Sequence, residues 1–398
     1  MSFFKHASAT AGNPMPGLTH AIGWGVSQTG RFLRHFVYEG FNEDEQGRIV
    51  FDGVFDQVGG AGRGSFNHRF GQQSRDQLQH FNIQYPVDMF PFTDEEQTDP
   101  VTGVTDGLLA RARRAGTVPK FFHLLTNSEY FNRAGSLVHT DVTGTRDVDP
   151  PPTSRIYMVA SAPHITGTFP PGPYQDPDFV GQADMNPLVY TPVIRALFAA
   201  LDTWVVTGAA PPPSRYPRLS DGTLTSPEKA GWPHVPGFAL PHSPMTTYRL
   251  DFGPGWARGL VAIEPPRLGP AFVSLVPAVD EAGNGRGGIR LPQVAVPLAT
   301  HTGWNYRRPS IGAPDRLASE IGSYLPLPKT REERERTGDG RSSIAERYAG
   351  RQAYLERIDA AARALVEERY LLADDLAAIR ADAAAHYDWA TRSARTPR

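Results

Sequence analysis

The chain has 398 residues, more than one small core uses, so two domains or one enlarged domain are expected. A formal net charge of -2, with basic residues spread along the chain, argues against a nucleic-acid face, and the absence of cysteine excludes disulfides, zinc–thiolate sites and a cysteine nucleophile. No apolar run is long enough to cross a membrane, Met1-Ser2-Phe3-Phe4-Lys5-His6 does not read as a signal peptide, and 37 prolines with 39 glycines point to a loop-rich globular enzyme.

Ser2 to Ala9 reads as the end of a helix, and Gly12-Asn13-Pro14 and Pro16-Gly17 are turn signals. A strand is expected over 19–25, then a turn carrying Ser27, then a helix. Phe32, Leu33, Phe36 and Val37 recur there at helical spacing, while Arg31, Arg34 and His35 fall off that stripe. Asn42 to Arg48 is acidic but lacks the ligand spacing of a calcium loop, so it reads as a solvated turn. A second strand is expected over 49–55, ending in Asp56 before Gly59-Gly60-Ala61-Gly62.

The region 62–105 is irregular. It carries the aromatic runs Phe66 to Phe70 and Asp88 to Phe92, which line a pocket or cover the core. A short helix follows at 108–115, with strands at 120–127 and 155–160. A helix from Pro187 to Val206 starts on a proline suited to a first turn and stops at Gly208. Strands alternating with helices predict a parallel sheet buried on both faces.

From Pro211 the composition turns proline-rich, with β-like runs at 259–263 and 271–276 and the turn Asn284-Gly285. Ser342 to Glu368 and Ala373 to Trp389 read as two helices forming an αα-hairpin, and Arg331 to Arg336 as a solvated helix start. The expected organisation is a catalytic domain at 1–210, a lid-like accessory region at 211–330 and a helical hairpin at 331–398.

The chemistry gathers around Thr19 to Arg34. Gly25 lets a strand reverse sharply into a helix and leaves Ser27 at the apex, where the first helical N–H groups welcome negative charge. The glycine usual two places after such a serine is displaced: Thr29 stands there and Gly30 follows. A serine hydroxyl needs a histidine to take its proton and a carboxylate to hold that histidine. Glu129 follows the strand at 120–127, and His164 follows the strand at 155–160, so a parallel sheet would bring all three to one edge. Asp56 also ends a strand and is the alternative acid, with Asp141 third. Among the twelve histidines, His20 and His123 are expected to pack within strands, and His35 lies on a helix. No pair has H-E-x-x-H spacing, so neither a metal nor a cofactor is expected.

Gly25-Val26-Ser27-Gln28-Thr29-Gly30, Gly40-Phe41-Asn42-Glu43-Asp44, Phe51-Asp52-Gly53-Val54, Gly64-Ser65-Phe66-Asn67, Ser128-Glu129-Tyr130, Asn186-Pro187-Leu188 and Thr302-Gly303-Trp304-Asn305 resemble the bacterial "α/β hydrolase domain" family. The resemblance covers nearly the whole chain. It implies an α/β-hydrolase fold, here the C-terminal half of a mainly parallel sheet with an irregular β-rich accessory region and a C-terminal α-hairpin. It also implies Ser27 as nucleophile, Glu129 as acid and His164 as base. The loop before His164 departs from the pattern, with Ser161-Ala162-Pro163 where relatives carry Gly-Thr-Gln.

Only 26 residues precede Ser27, too few for the strands and the loop that normally carry a second oxyanion donor. The Gln28 N–H is the one identifiable donor, the strand at 19–25 is expected to be an exposed apolar edge, and an N-terminally truncated hydrolase is expected. The expected activity is cleavage of a small carboxylic ester through an acyl-enzyme. A tannase- or feruloyl-esterase-like action on aromatic esters and an inactive remnant or binding module are the alternatives.

Overall fold

The computed structural model describes residues 1–64, 66, 88–174, 180–239, 244–318 and 320–392. The expected aromatic run from Asn67 to Phe70 lies outside them.

A four-stranded parallel sheet carries the site. Its strands are β1 (Ile22–Val26), β2 (Gly53–Gln57), β3 (Lys120–Thr126) and β4 (Ser154–Val159), in that spatial order. β2 is buried throughout, as a central strand covered on both faces must be. Among the described residues β1 pairs with β2 alone in this sheet, and its Trp24 and Val26 are exposed, the apolar edge that was expected.

Helix α1 (Ser2–His6) precedes the sheet, and α2 (Gln28–Tyr38) follows β1. Leu33 and Val37 of α2 pack with Val54, Phe121 and Leu109 on one face of the sheet, joined by Ala112 of α3 (Ala110–Ala115). Helix α4 (Asn127–Asn132) leaves the end of β3. On the other face, α5 (Thr191–Thr207) buries Val193, Leu197, Leu201 and Trp204. It lies so close that a methyl group at Gly53 would meet the Val205 side chain at 2.8 Å.

Three boundaries differ from expectation for visible reasons. The second strand begins at Gly53, not Ile49, because side chains occupy the preceding backbone: Asn42 bonds Phe51 through both its N–H (2.8 Å) and its carbonyl (3.0 Å), and Lys5 Nζ reaches the Ile49 carbonyl (3.1 Å). Helix α5 begins at Thr191, because Asn186 Oδ1 takes the Leu188 N–H at 3.1 Å and holds that segment extended. Pro192, rather than Pro187, is the first-turn proline. The expected helix from Ser342 is Ile344–Arg347, then a break, then α6 (Arg351–Glu367), with Gly350 at a φ of 153° in the break.

Between these lie short antiparallel pairs. Tyr248–Asp251 pairs with Arg267–Ala271, and Ser323–Pro326 sits between Ala299–His301 and Asp184–Met185. The run at 259–263 is not a strand. Left-handed Gly253 and Gly259 bound a tight turn there, with Phe252 stacked on Trp256. Helix α6 packs on α7 (Leu376–Thr391), and Leu355, Ile358, Ile379 and Ala383 belong to the same apolar cluster as Phe55 and Tyr157 of the sheet.

Candidate active site

The turn after β1 is built by collision and clamp. Ser27 adopts φ 54°, a left-handed conformation that costs a non-glycine residue about 1–3 kcal/mol. A side chain at Gly25 would strike the Thr29 carbonyl, so glycine is required there. Thr29 Oγ1 donates to the Val26 carbonyl (2.8 Å) and accepts from the Val26 N–H (2.7 Å), tying the first helical turn to the strand end. Gly30 is where the helix touches its surroundings, because a methyl group there would run into Asp56 Oδ1. The one-place displacement of the glycine therefore has a cause: the close approach falls at 30, and 29 is free to carry a clamping hydroxyl.

Ser27 bonds the sheet through its N–H to the Gln57 carbonyl (2.7 Å), and its hydroxyl makes no cap bond to its own helix. The hydroxyl lies 3.0 Å from His164 Nε2 instead. As the first residue of α2, Gln28 has an N–H with no intrahelical carbonyl to meet.

Glu129 is held by its own helix. Thr126, the last residue of β3, caps α4, and Glu129 reaches back from the third helical position. Its Oε2 accepts from the Thr126 N–H (2.5 Å) and hydroxyl (2.7 Å), while its Oε1 accepts from His164 Nδ1 at 2.7 Å. One carboxylate oxygen is thus fixed by a capping box and the other is aimed at the histidine. The pattern Thr126-x-x-Glu129 is legible in the sequence and would have favoured Glu129 over Asp56.

His164 stands on a braced loop. Ser161 adopts φ 60°, a conformation that glycine takes without strain. The Ser161 hydroxyl accepts from the Gly285 N–H (2.9 Å), its carbonyl accepts from Asn186 Nδ2 (2.8 Å), and Tyr190 donates its hydroxyl to the His164 carbonyl (3.2 Å). The Ile165 N–H donates to the Glu320 carbonyl at 3.0 Å. Nδ1 donating to Glu129 leaves Nε2 to accept from Ser27, the tautomer a base requires. Burial opposes charge on His164, but the hydrogen bond and charge of Glu129, aided by Glu320, outweigh it and hold its pKa above the usual 6.5; Arg133 works against them.

The structure brings Ser27, His164 and Glu129 into one hydrogen-bonded line. It does not bring Asp56 there: its Oδ2 faces Arg34 at 3.7 Å and His123 Nδ1 at 3.5 Å. Asp141 holds its own turn, accepting from the N–H groups of Thr145 (2.7 Å) and Arg146 (2.9 Å). His123 is packed within β3 as expected, but His20 precedes β1, is exposed and meets Thr19 Oγ1 at 2.9 Å. Arg31, Arg34 and His35, off the apolar stripe of α2, are nonetheless buried, and Phe32 on that stripe is exposed. Among the described residues no group of three or more acidic, histidine or cysteine side chains could hold a metal ion, and no helix is long and apolar enough to cross a membrane.

Ser27, in the turn between a parallel strand and a helix, thus meets a histidine that follows a later strand. The sequence profile of the alpha/beta hydrolase domain family matches residues 2–381. The chain belongs to that family. No curated protein and no solved structure matches it. As an α/β hydrolase, the chain carries its buried parallel strands and this site at their C-terminal edge, where ligands meet such sheets.

Proposed function

We propose that this α/β hydrolase is a serine hydrolase of carboxylic esters. His164 Nε2 takes the Ser27 proton as Oγ attacks the ester carbonyl, and Glu129 holds the imidazole and stabilises its charged form. His164 then returns the proton to the departing alcohol oxygen, leaving an acyl group on Ser27. Water, activated by the same histidine, releases the acid. The Gln28 N–H, at the positive end of α2, faces the developing oxyanion; a donor of this kind contributes on the order of 10²–10³ in rate.

The observation that carries the reading is the line Glu129–His164–Ser27, with contacts of 2.7 and 3.0 Å. A merely packed histidine would have no reason to meet a strained serine whose hydroxyl leaves its own helix uncapped. The test is covalent labelling by a fluorophosphonate probe together with hydrolysis of p-nitrophenyl acetate. Labelling confined to Ser27 and abolished in Ser27→Ala is expected. A folded wild-type protein that takes no label, and hydrolyses the ester no faster than Ser27→Ala, would refute the reading.

A further inference from the structure

Beneath the serine turn lies a second polar cluster that the proposed chemistry does not use. Arg34, Asp56 and His123 are fully buried, and Asp94 is 5% exposed. Arg34 sits on α2 about two turns beyond Ser27. Its guanidinium donates to His123 Nδ1 (2.9 Å), to the Phe92 carbonyl (2.8 Å) and to the Ala61 carbonyl (3.2 Å), and lies 3.7 Å from Asp56 Oδ2. Since Nδ1 accepts from Arg34, the His123 Nε2–H points at Asp94, whose two oxygens lie 3.1 Å away.

The geometry around Asp56 shows what the cluster touches. Asp56 sits in register with Gly25 of β1 on one side and His123 of β3 on the other. A methyl group at Gly30, in the first turn of α2, would strike Asp56 Oδ1, and so would one at Gly59, in the loop after β2. The carboxylate is therefore wedged between the helix that carries the nucleophile and the neighbouring loop, while Arg34 grips two further loop carbonyls. Each buried ion costs several kcal/mol in desolvation, and apolar side chains of equal volume would hold the core as well. Charge at this place is better explained by orientation than by cohesion.

We propose that Asp56, Arg34, His123 and Asp94 are a positioning unit for Ser27, fixing the first turn of α2 and with it the Ser27 hydroxyl and the Gln28 N–H. This rests on Ser27 being the nucleophile. None of the four touches the reacting atoms; they act through the backbone that presents them, where a misplacement of about 1 Å costs roughly 10²-fold in rate.

The test compares Asp56→Asn, which keeps the shape and removes the charge, with Arg34→Lys, which keeps the charge and removes the planar fork. The readouts are kcat and KM for p-nitrophenyl acetate, the rate of fluorophosphonate labelling, and thermal unfolding. Both variants should lower kcat and the labelling rate by about 10- to 100-fold while KM stays within about twofold. A fall confined to the folded fraction, or a rise in KM at unchanged kcat, would overturn the proposal. Folded variants with wild-type kcat would do the same. If Arg34→Lys does not fold, Asp56→Asn decides; if neither folds, the cluster serves stability and the proposal fails. A wild-type protein that takes no label sinks the serine-hydrolase reading instead, so the two failures are distinguishable.

Discussion

Among the described residues, the carboxylate–histidine pairs Glu129–His164 and Asp94–His123 differ in what the far nitrogen meets. In Glu129–His164 one nitrogen accepts no more than a serine hydroxyl at 3.0 Å, on a loop just past a strand. In Asp94–His123 both nitrogens are committed to charged protein groups, Asp94 on one side and Arg34 on the other, inside a strand. In the proposed reaction the first imidazole would accept a proton and hand it on, because its partner is a neutral hydroxyl. The second has no proton to exchange with anything outside the cluster. On the proposed reading, equal chemistry divides into a reactive pair and a fixed one by position alone: past the strand end, or within it.

Replacing the two histidines should break this symmetry most strongly. His164→Ala is expected to lower kcat on the order of 10⁴- to 10⁶-fold and to cost less stability than His123→Ala, because Glu129 keeps its two Thr126 donors. His123→Ala removes the partner of a buried carboxylate and should cost about 3–5 kcal/mol of stability. Unfolding by denaturant alongside ester turnover separates the two. A His164→Ala protein that retains activity, or a His123→Ala protein as stable as wild type, would erase the distinction.

Much of this division was legible in the sequence. Ser27, Glu129 and His164 each follow an apolar, β-rich run, and strand-end logic alone put them on one edge. The polar support was not legible. Arg31, Arg34 and His35 lie off the apolar stripe of α2, and hydrophobic periodicity treats such positions as solvated. The burial of Arg34 depends on Ala61, Phe92 and Asp56, which arrive from distant segments. The beginning of β2 was misplaced for a related reason: Ile49 to Phe51 has strand-like composition, but Asn42 and Lys5 satisfy its backbone before a neighbouring strand can. Local pattern reports what a segment would do alone, and side chains reaching across the fold override it.

Glu129 sharpens the comparison further, because it is bound to its own helix cap as well as to His164. Glu129→Gln keeps the shape but offers an amide where two donors and an imidazole ask for acceptors. A loss of about 10⁴-fold in kcat is expected from the disturbed imidazole tautomer. Weakening of the cap should add roughly 0.5–2 kcal/mol of destabilisation. Thr126→Ala weakens the same cap without touching the histidine, so it should reproduce the stability loss and little of the rate loss. If Thr126→Ala lowers kcat as far as Glu129→Gln does, the carboxylate acts through the cap alone.

The smallest expected effect concerns what surrounds the reactive pair. Glu129, Glu320 and Arg133 are the charged groups that act on His164, the first two favouring its protonated form and the last opposing it. Arg133 also faces Glu320 at 3.5 Å, so each partly offsets the other at the imidazole. A base must be neutral to accept the serine proton. Activity should therefore rise with pH through the His164 pKa, which lies above 6.5. Glu320→Gln removes one stabiliser of the imidazolium, so the acid limb of kcat/KM should move to lower pH with the plateau rate within about twofold. Arg133→Gln should move the limb the other way. Profiles recorded from about pH 5 to 8 test this, since that window brackets an imidazole titration. Opposite displacements would show that His164 titrates between two opposing fixed charges. Displacement of both variants in one direction, or of neither, would mean that the limb belongs to another group, and the contrast with the locked His123 would then rest on geometry alone.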